Sequence, residues 1–120
     1  VELSHAVPRV WRTIKLMGVA EKVASVRSAD IAVLEMDQLE RLRSAILQAS
    51  QAAIETDGAD VLVLGCGSMF GVREEIESKF GAPVVEPGPA ALKLMESLLA
   101  LGLSHSKRAY QQPPSKRIVF

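Results

Sequence analysis

The sequence predicts an α/β fold, an open and mostly parallel sheet with flanking helices. Two observations carry that prediction. Short apolar runs alternate with stretches of helical periodicity in the order helix, strand, helix, strand, helix, strand, helix, and such alternation means parallel strands joined by right-handed crossovers. The run Val61-Leu62-Val63-Leu64 ends in Gly65-Cys66-Gly67 with a helix-like stretch beyond it, which reads as a buried strand entering a strand-to-helix turn.

Each element has its own signal. Residues 8–17 read as a helix, because Pro8 suits a first turn, Val10, Trp11, Ile14 and Met17 recur at helical spacing, and Gly18 is a C-terminal stop. Trp11 is expected in core or interface packing. Residues 22–27 alternate weakly and read as an edge strand, and residues 31–35 as a strand or a connector. Residues 38–56 form an amphipathic helix with Leu39, Leu42, Ile46, Ala49 and Ala53 on one face, less neatly joined by Leu47 and Ile54, ended by Asp57-Gly58. Residues 61–65 are the central strand. Ser68 is expected to cap a helix running to Phe80, with Gly81 as its stop. Residues 83–86 are a short strand, Pro87-Gly88-Pro89 a turn, and Pro89 opens a helix through Leu101, stopped by Gly102. Residues 1–103 are thus expected to be a single α/β domain. Residues 104–120, with Lys107, Arg108, Lys116, Arg117 and Pro113-Pro114 and no acid, are expected to be an extended C-terminal arm. Three strands make a thin sheet, so another strand or a partner is expected to complete it, and a homo-oligomer is the expected assembly.

Composition narrows the function. The 120 residues suffice for one core, and 48% apolar content fits a globular chain. Net charge is zero and aromatics are 4%, which argues against nucleic acid as a partner. The apolar runs fall far short of the about 20 residues that span a bilayer, so no membrane partner is expected, and no signal-peptide pattern is present. A single cysteine excludes an internal disulfide and suggests a reduced, cytoplasmic setting. The chain starts at Val1 and enters almost directly into a helical pattern; an imposed boundary, processing or an upstream segment would each account for this.

Cys66 sits where open α/β folds place their ligands. Its flanking glycines let backbone approach a ligand, and the Gly67 and Ser68 amides would point at that ligand from a helix N-terminus. A thiolate there would be stabilised by the helix dipole and the amides. That suits removal and return of a proton α to a carbonyl, with the amides holding the developing oxyanion. Two other readings stay open. Gly65, Gly67 and Gly71, with Glu86 ending the next strand, fit a loose dinucleotide-binding pattern, and a lone cysteine can simply be a small buried hydrophobe. His5 and His105 stand at no metal-ligand spacing with Cys66, so no metal is expected. Glu74, Glu75, Glu77 and Lys79 read as a solvated helix face, His5 as a loop residue and 104–107 as a surface connection.

The segment from Gly58-Ala59-Asp60 through Leu64-Gly65-Cys66-Gly67-Ser68-Met69 resembles the second catalytic segment of the hydantoin and allantoin racemases, in the aspartate/glutamate racemase superfamily. Agreement continues in Gly81-Ala82-Pro83-Val84-Val85-Glu86-Pro87, in Ala90-Ala91-Leu92-Lys93-Leu94, in residues 101–108, in Ala109-Tyr110 and in Pro113-Pro114. Upstream, Val7-Pro8-Arg9 and residues 24–31 also resemble the family. The resemblance implies one half of a two-lobed fold in which each lobe brings one cysteine to opposite faces of a stereocentre, without cofactor. It implies Cys66 as the catalytic cysteine of the C-terminal half and Gly67 and Ser68 as substrate-binding amides. The segment lacks the Thr-His that follows the second cysteine in glutamate racemases, which points away from free acidic amino acids and toward cyclic imides or ureides; the expected small-molecule partner is a cyclic ureide or amino-acid derivative. Two departures stand out: the N-terminal segment with the first cysteine is absent, and Gly67-Ser68 replaces the commoner Ala-Gly. The Gly-Cys-Gly segment also resembles arylmalonate decarboxylases, which use one cysteine. The leading expectation is a racemase-type enzyme acting on 5-substituted hydantoin or allantoin; a one-cysteine decarboxylase and a non-catalytic or dinucleotide-binding module are the alternatives.

Overall fold

The computed structural model describes residues 6–31, 39–67, 69 and 71–111. The chain divides into two compact units, Val1–Ala90 and Ala91–Phe120. In the first unit, helix α1 spans Val7–Leu16 with Pro8 in its opening turn, where a missing amide hydrogen forfeits no intrahelical bond. Gly18 follows at φ 70. Val10 packs on the core, Trp11 is half-buried, and Leu16 and Met17 are exposed.

The expected edge strand at 22–27 does not form. A 3₁₀ turn occupies Ala20–Lys22 and residues 23–27 are irregular. The weak alternation gives that segment no consistent buried face, since Val23 and residues 25–28 are all half-buried. A side chain pins it instead: Arg27 grips Asp57 in a bidentate pair, with Nε donating to Oδ2 at 2.6 Å. The guanidinium pulls the Asp57 carboxyl down to about 2. Of the segment expected as strand or connector at 31–35, all but Ile31 lies outside the described residues.

Helix α2, Leu39–Glu55, buries Leu42, Ile46, Ala49, Ser50 and Ala53, the spacing of one helical face. Leu39, expected on that face, is 68% exposed in the opening turn. Gly58 at φ 74 and the Ala59 amide on the Ala53 carbonyl at 2.9 Å turn the chain toward the sheet.

Strand β1, Leu62–Val63, pairs in parallel with β2, Val84–Val85, in the register Leu62↔Val84 and Val63↔Val85. Helix α3, Arg73–Phe80, makes the crossover between them. This β-α-β unit bears out the α/β class, and among the described residues the sheet has these two strands. Leu62, Leu64 and Val84 are buried with Ile46 and Ile76 in the core, whereas Val61, Val63 and Val85 on the opposite face are exposed.

Helix α3 ends as expected at Gly81, φ 70, whose amide donates to the Glu77 carbonyl at 2.9 Å. Its acidic side chains are not merely a solvated face. Glu75 pairs with Arg43 of α2 at 2.6 Å. Glu77 pairs with Arg73 at 3.0 Å and accepts the Val84 amide of β2 at 3.1 Å. The Val84 amide, chiefly, holds the Glu77 carboxyl below its ordinary value.

Helix α4 spans Pro87–Ala100 and starts at Pro87 rather than Pro89. First-turn amides have no intrahelical acceptors, so both prolines are accommodated. In the second unit, the Gly102 and Leu103 amides close α4 on the Leu99 and Leu98 carbonyls at 3.0 and 2.9 Å. Leu92, Leu94, Met95 and Leu99 are exposed. Residues 107–109 form a turn, with the Tyr110 amide on the Ser106 carbonyl at 2.8 Å and the His105 and Tyr110 rings edge to face. Pro113-Pro114 and the end of the expected arm lie outside the described residues. Among the described residues no helix is long and apolar enough to cross a membrane.

Candidate active site

Cys66 lies on the loop from β1 to α3, at the carboxyl end of the parallel pair. The strand fixes its starting point. Leu64 is 1% exposed and its amide donates to the Val85 carbonyl at 3.0 Å, so the chain leaves the sheet edge only at Gly65. Cys66 is half-buried, a free thiol packed against the core. Its carbonyl accepts the Met69 amide at 3.0 Å, which closes a tight turn. The Met69 side chain is fully buried, so the loop is fixed into the core just beyond the thiol. Gly71 then takes φ 78, a left-handed conformation that suits glycine. Its amide donates to Glu86 Oε1 at 3.1 Å.

These contacts correct one expectation. Cys66 is not at a helix N-terminus, because α3 begins at Arg73 with Val72 as its cap. The left-handed Gly71, φ 78, interrupts right-handed helical backbone just ahead of α3. A helix dipole acts within its first turn, and Cys66 lies ahead of the first turn of α3. Ser68 itself lies outside the described residues. Gly67 is exposed, its φ is not positive, and a Cβ there would meet nothing within 4 Å. The chain itself therefore does not require glycine at this position; the space in front of Gly67 is open.

Two grooves flank the loop. One is lined by Gly71, Arg73, Glu74, Glu77, Glu86 and Pro89. The other runs along the exposed face of β1, past Val10, Ile14, Val61 and Val63 to Gly65. Within the glycine pattern that suggested a dinucleotide site, the Gly71 amide donates to the Glu86 carboxylate. His105 contacts Lys107 at 2.8 Å in the second unit, and His5 lies outside the described residues. Among the described residues no three His, Cys, Asp or Glu side chains are grouped to hold a metal ion. The sequence reading missed two features of this site, Met69 as an anchor and Glu86 as a tie. A lone methionine beside a glycine-rich loop was the available signal for the first.

Residues 3–95 match the sequence model of the family described as Asp/Glu/hydantoin racemase. A hydantoin racemase from Paenarthrobacter aurescens is 34% identical over 106 residues, which are 87% of this chain and 45% of that protein. An allantoin racemase from Pseudomonas fluorescens is 39% identical, with a TM-score of 0.81 over 100% of this chain and 52% of that one. The allantoin racemase from Klebsiella pneumoniae is 27% identical, with a TM-score of 0.74 over 99% of this chain and 49% of that one. The chain thus spans about half the length of the relatives it matches. The family model covers most of the chain, and the chain belongs to the Asp/Glu/hydantoin racemase family.

Proposed function

We propose that this chain supplies the C-terminal, cysteine-bearing half of a cofactor-independent racemase acting on a 5-substituted hydantoin or allantoin. The observation that supports the reading is Cys66 held on an anchored loop at the carboxyl end of β1, in a chain whose relatives are hydantoin and allantoin racemases. In this scheme the Cys66 thiolate takes the proton from the ring carbon α to the carbonyl. The electron pair moves onto the carbonyl oxygen as an enolate, and the Gly67 and Ser68 amides donate to that oxygen. Return of a proton to the opposite face completes racemisation. The chain carries one cysteine, so the acid on that opposite face is assigned to another surface, the second lobe of the fold or a second copy. A reducing, cytoplasmic setting would keep the Cys66 thiol free.

Substrate protection tests the reading. Iodoacetamide alkylates Cys66 at a rate followed by mass spectrometry, with and without a 5-substituted hydantoin. The proposal expects saturable protection by the hydantoin. An alkylation rate indifferent to hydantoin at all concentrations would remove Cys66 from the substrate site.

A further inference from the structure

We infer that Glu86 is a positioning residue for the Cys66 loop: it holds the Gly71 amide and so fixes the backbone that presents the thiol and the Gly67 amide. The inference rests on the reading of Cys66 as the reacting group. It starts from a geometric need. A stretch reading Gly-Cys-Gly is costly to order, and a proton-transfer group must be held within a fraction of an ångström of its productive place. The loop is held at two points beyond the thiol. Met69 is buried in the core, and the Gly71 amide is held by Glu86 at 3.1 Å.

The placement of Glu86 suits this role. It directly follows β2, the strand whose Val85 carbonyl accepts the Leu64 amide just ahead of Cys66. The carboxylate therefore joins the far end of the loop to the strand beside the one that launches it. Pro87 disfavours helical backbone at Glu86, and α4 accordingly starts only after it. The left-handed Gly71, φ 78, presents an amide that a β-carbon-bearing residue would present only with strain. Glu77 supplies an internal comparison: it makes the same kind of bond, to the Val84 amide at 3.1 Å, but on β2 rather than on the thiol loop.

The test uses the full chain and three variants, Glu86→Gln, Glu86→Ala and Glu77→Ala. It reads Cys66 alkylation by iodoacetamide at fixed pH, hydrogen exchange of the Gly71 amide by NMR, and the thermal midpoint. In Glu86→Ala the Gly71 amide should exchange at least about tenfold faster, since a charge-assisted bond is lost, and the Cys66 rate should change at least about threefold by the same loosening. Glu86→Gln keeps a carbonyl acceptor and should restore both rates to within about twofold. Glu77→Ala should lower the thermal midpoint and leave Cys66 reactivity unchanged. Wild-type rates in Glu86→Ala would overturn the inference, as would a Glu86→Gln variant that behaves like Glu86→Ala. None of these readouts involves substrate, so failure of the racemase reading in the hydantoin protection test would stand apart from them.

Discussion

Replacing Met69 by alanine separates two tasks that the structure gives one side chain, filling the core and holding the thiol loop. Met69 is 0% exposed and belongs to the same cluster as Leu64, Ile46 and Ile76. Truncating a buried methionine to alanine costs about 2–5 kcal/mol, with the spread set by how far the site collapses. Met69 sits on a loop that can relax inward, so a loss near the lower end, about 2–3 kcal/mol, is expected. With a urea slope of about 1–2 kcal/mol per molar, the unfolding midpoint should fall by about 1–3 M. Ile76→Ala is the matched comparison, since Ile76 is also 0% exposed but lies on α3. Both variants should be destabilised, Ile76→Ala at least as much as Met69→Ala, because a helix relaxes less than a loop. Only Met69→Ala should also speed Cys66 alkylation in the absence of urea, because only there is the loop released. A loss below about 1 kcal/mol would refute the anchoring role. Equal thiol reactivity in the two variants would refute the link from anchor to thiol.

Three further outcomes follow from single contacts. Ser50 is 0% exposed and its hydroxyl has no partner among the described residues; Ser50→Ala should therefore stabilise the chain by about 1 kcal/mol, and a lower urea midpoint would contradict this. The Asp57 carboxyl is lowered to about 2 by Arg27, so the ionised form is favoured by folding. The contribution is complete above about pH 4 and is lost as pH falls toward 2; urea midpoints should decline less steeply over that window in Arg27→Gln, and identical slopes would count against the pair. Gly67→Ala should leave the unfolding free energy unchanged within about 0.5 kcal/mol, because its Cβ meets nothing, yet should weaken hydantoin protection of Cys66. Full protection in that variant would move the substrate away from Gly67.

The elements most legible in the sequence were those in which local signals agree with packing. Leu42, Ile46, Ala49 and Ala53 mark the buried face of α2, and Gly81 stops α3 in the conformation its position calls for. Alternation along β1 was harder to read. Four apolar residues suggested a strand buried on both faces, whereas Val61 and Val63 are exposed and only Leu62 and Leu64 are covered. The start of α3 was misplaced because Ser68 is a good cap by type, and nothing local says that Met69 must enter the core. The weak alternation at 22–27 was overridden by a tertiary contact, the grip of Arg27 on Asp57 across 30 positions of chain. The place of Cys66, on the loop that follows β1, was legible from the strand and glycines around it. The ties of Glu77 and Glu86 were not, because each carboxylate meets a backbone amide that only the folded crossover brings near.

Deuterium incorporation at C5 of a single-enantiomer 5-substituted hydantoin in D2O tests the central claim most directly, with Cys66→Ser measured beside the wild-type chain and optical rotation followed in the same samples. The account predicts incorporation above the spontaneous rate for the wild type and a return to that rate for Cys66→Ser. Retained rotation would show that this half works on one face, and lost rotation that both faces are served. Incorporation equal in the two proteins would contradict the assignment of Cys66 as the proton-transfer group.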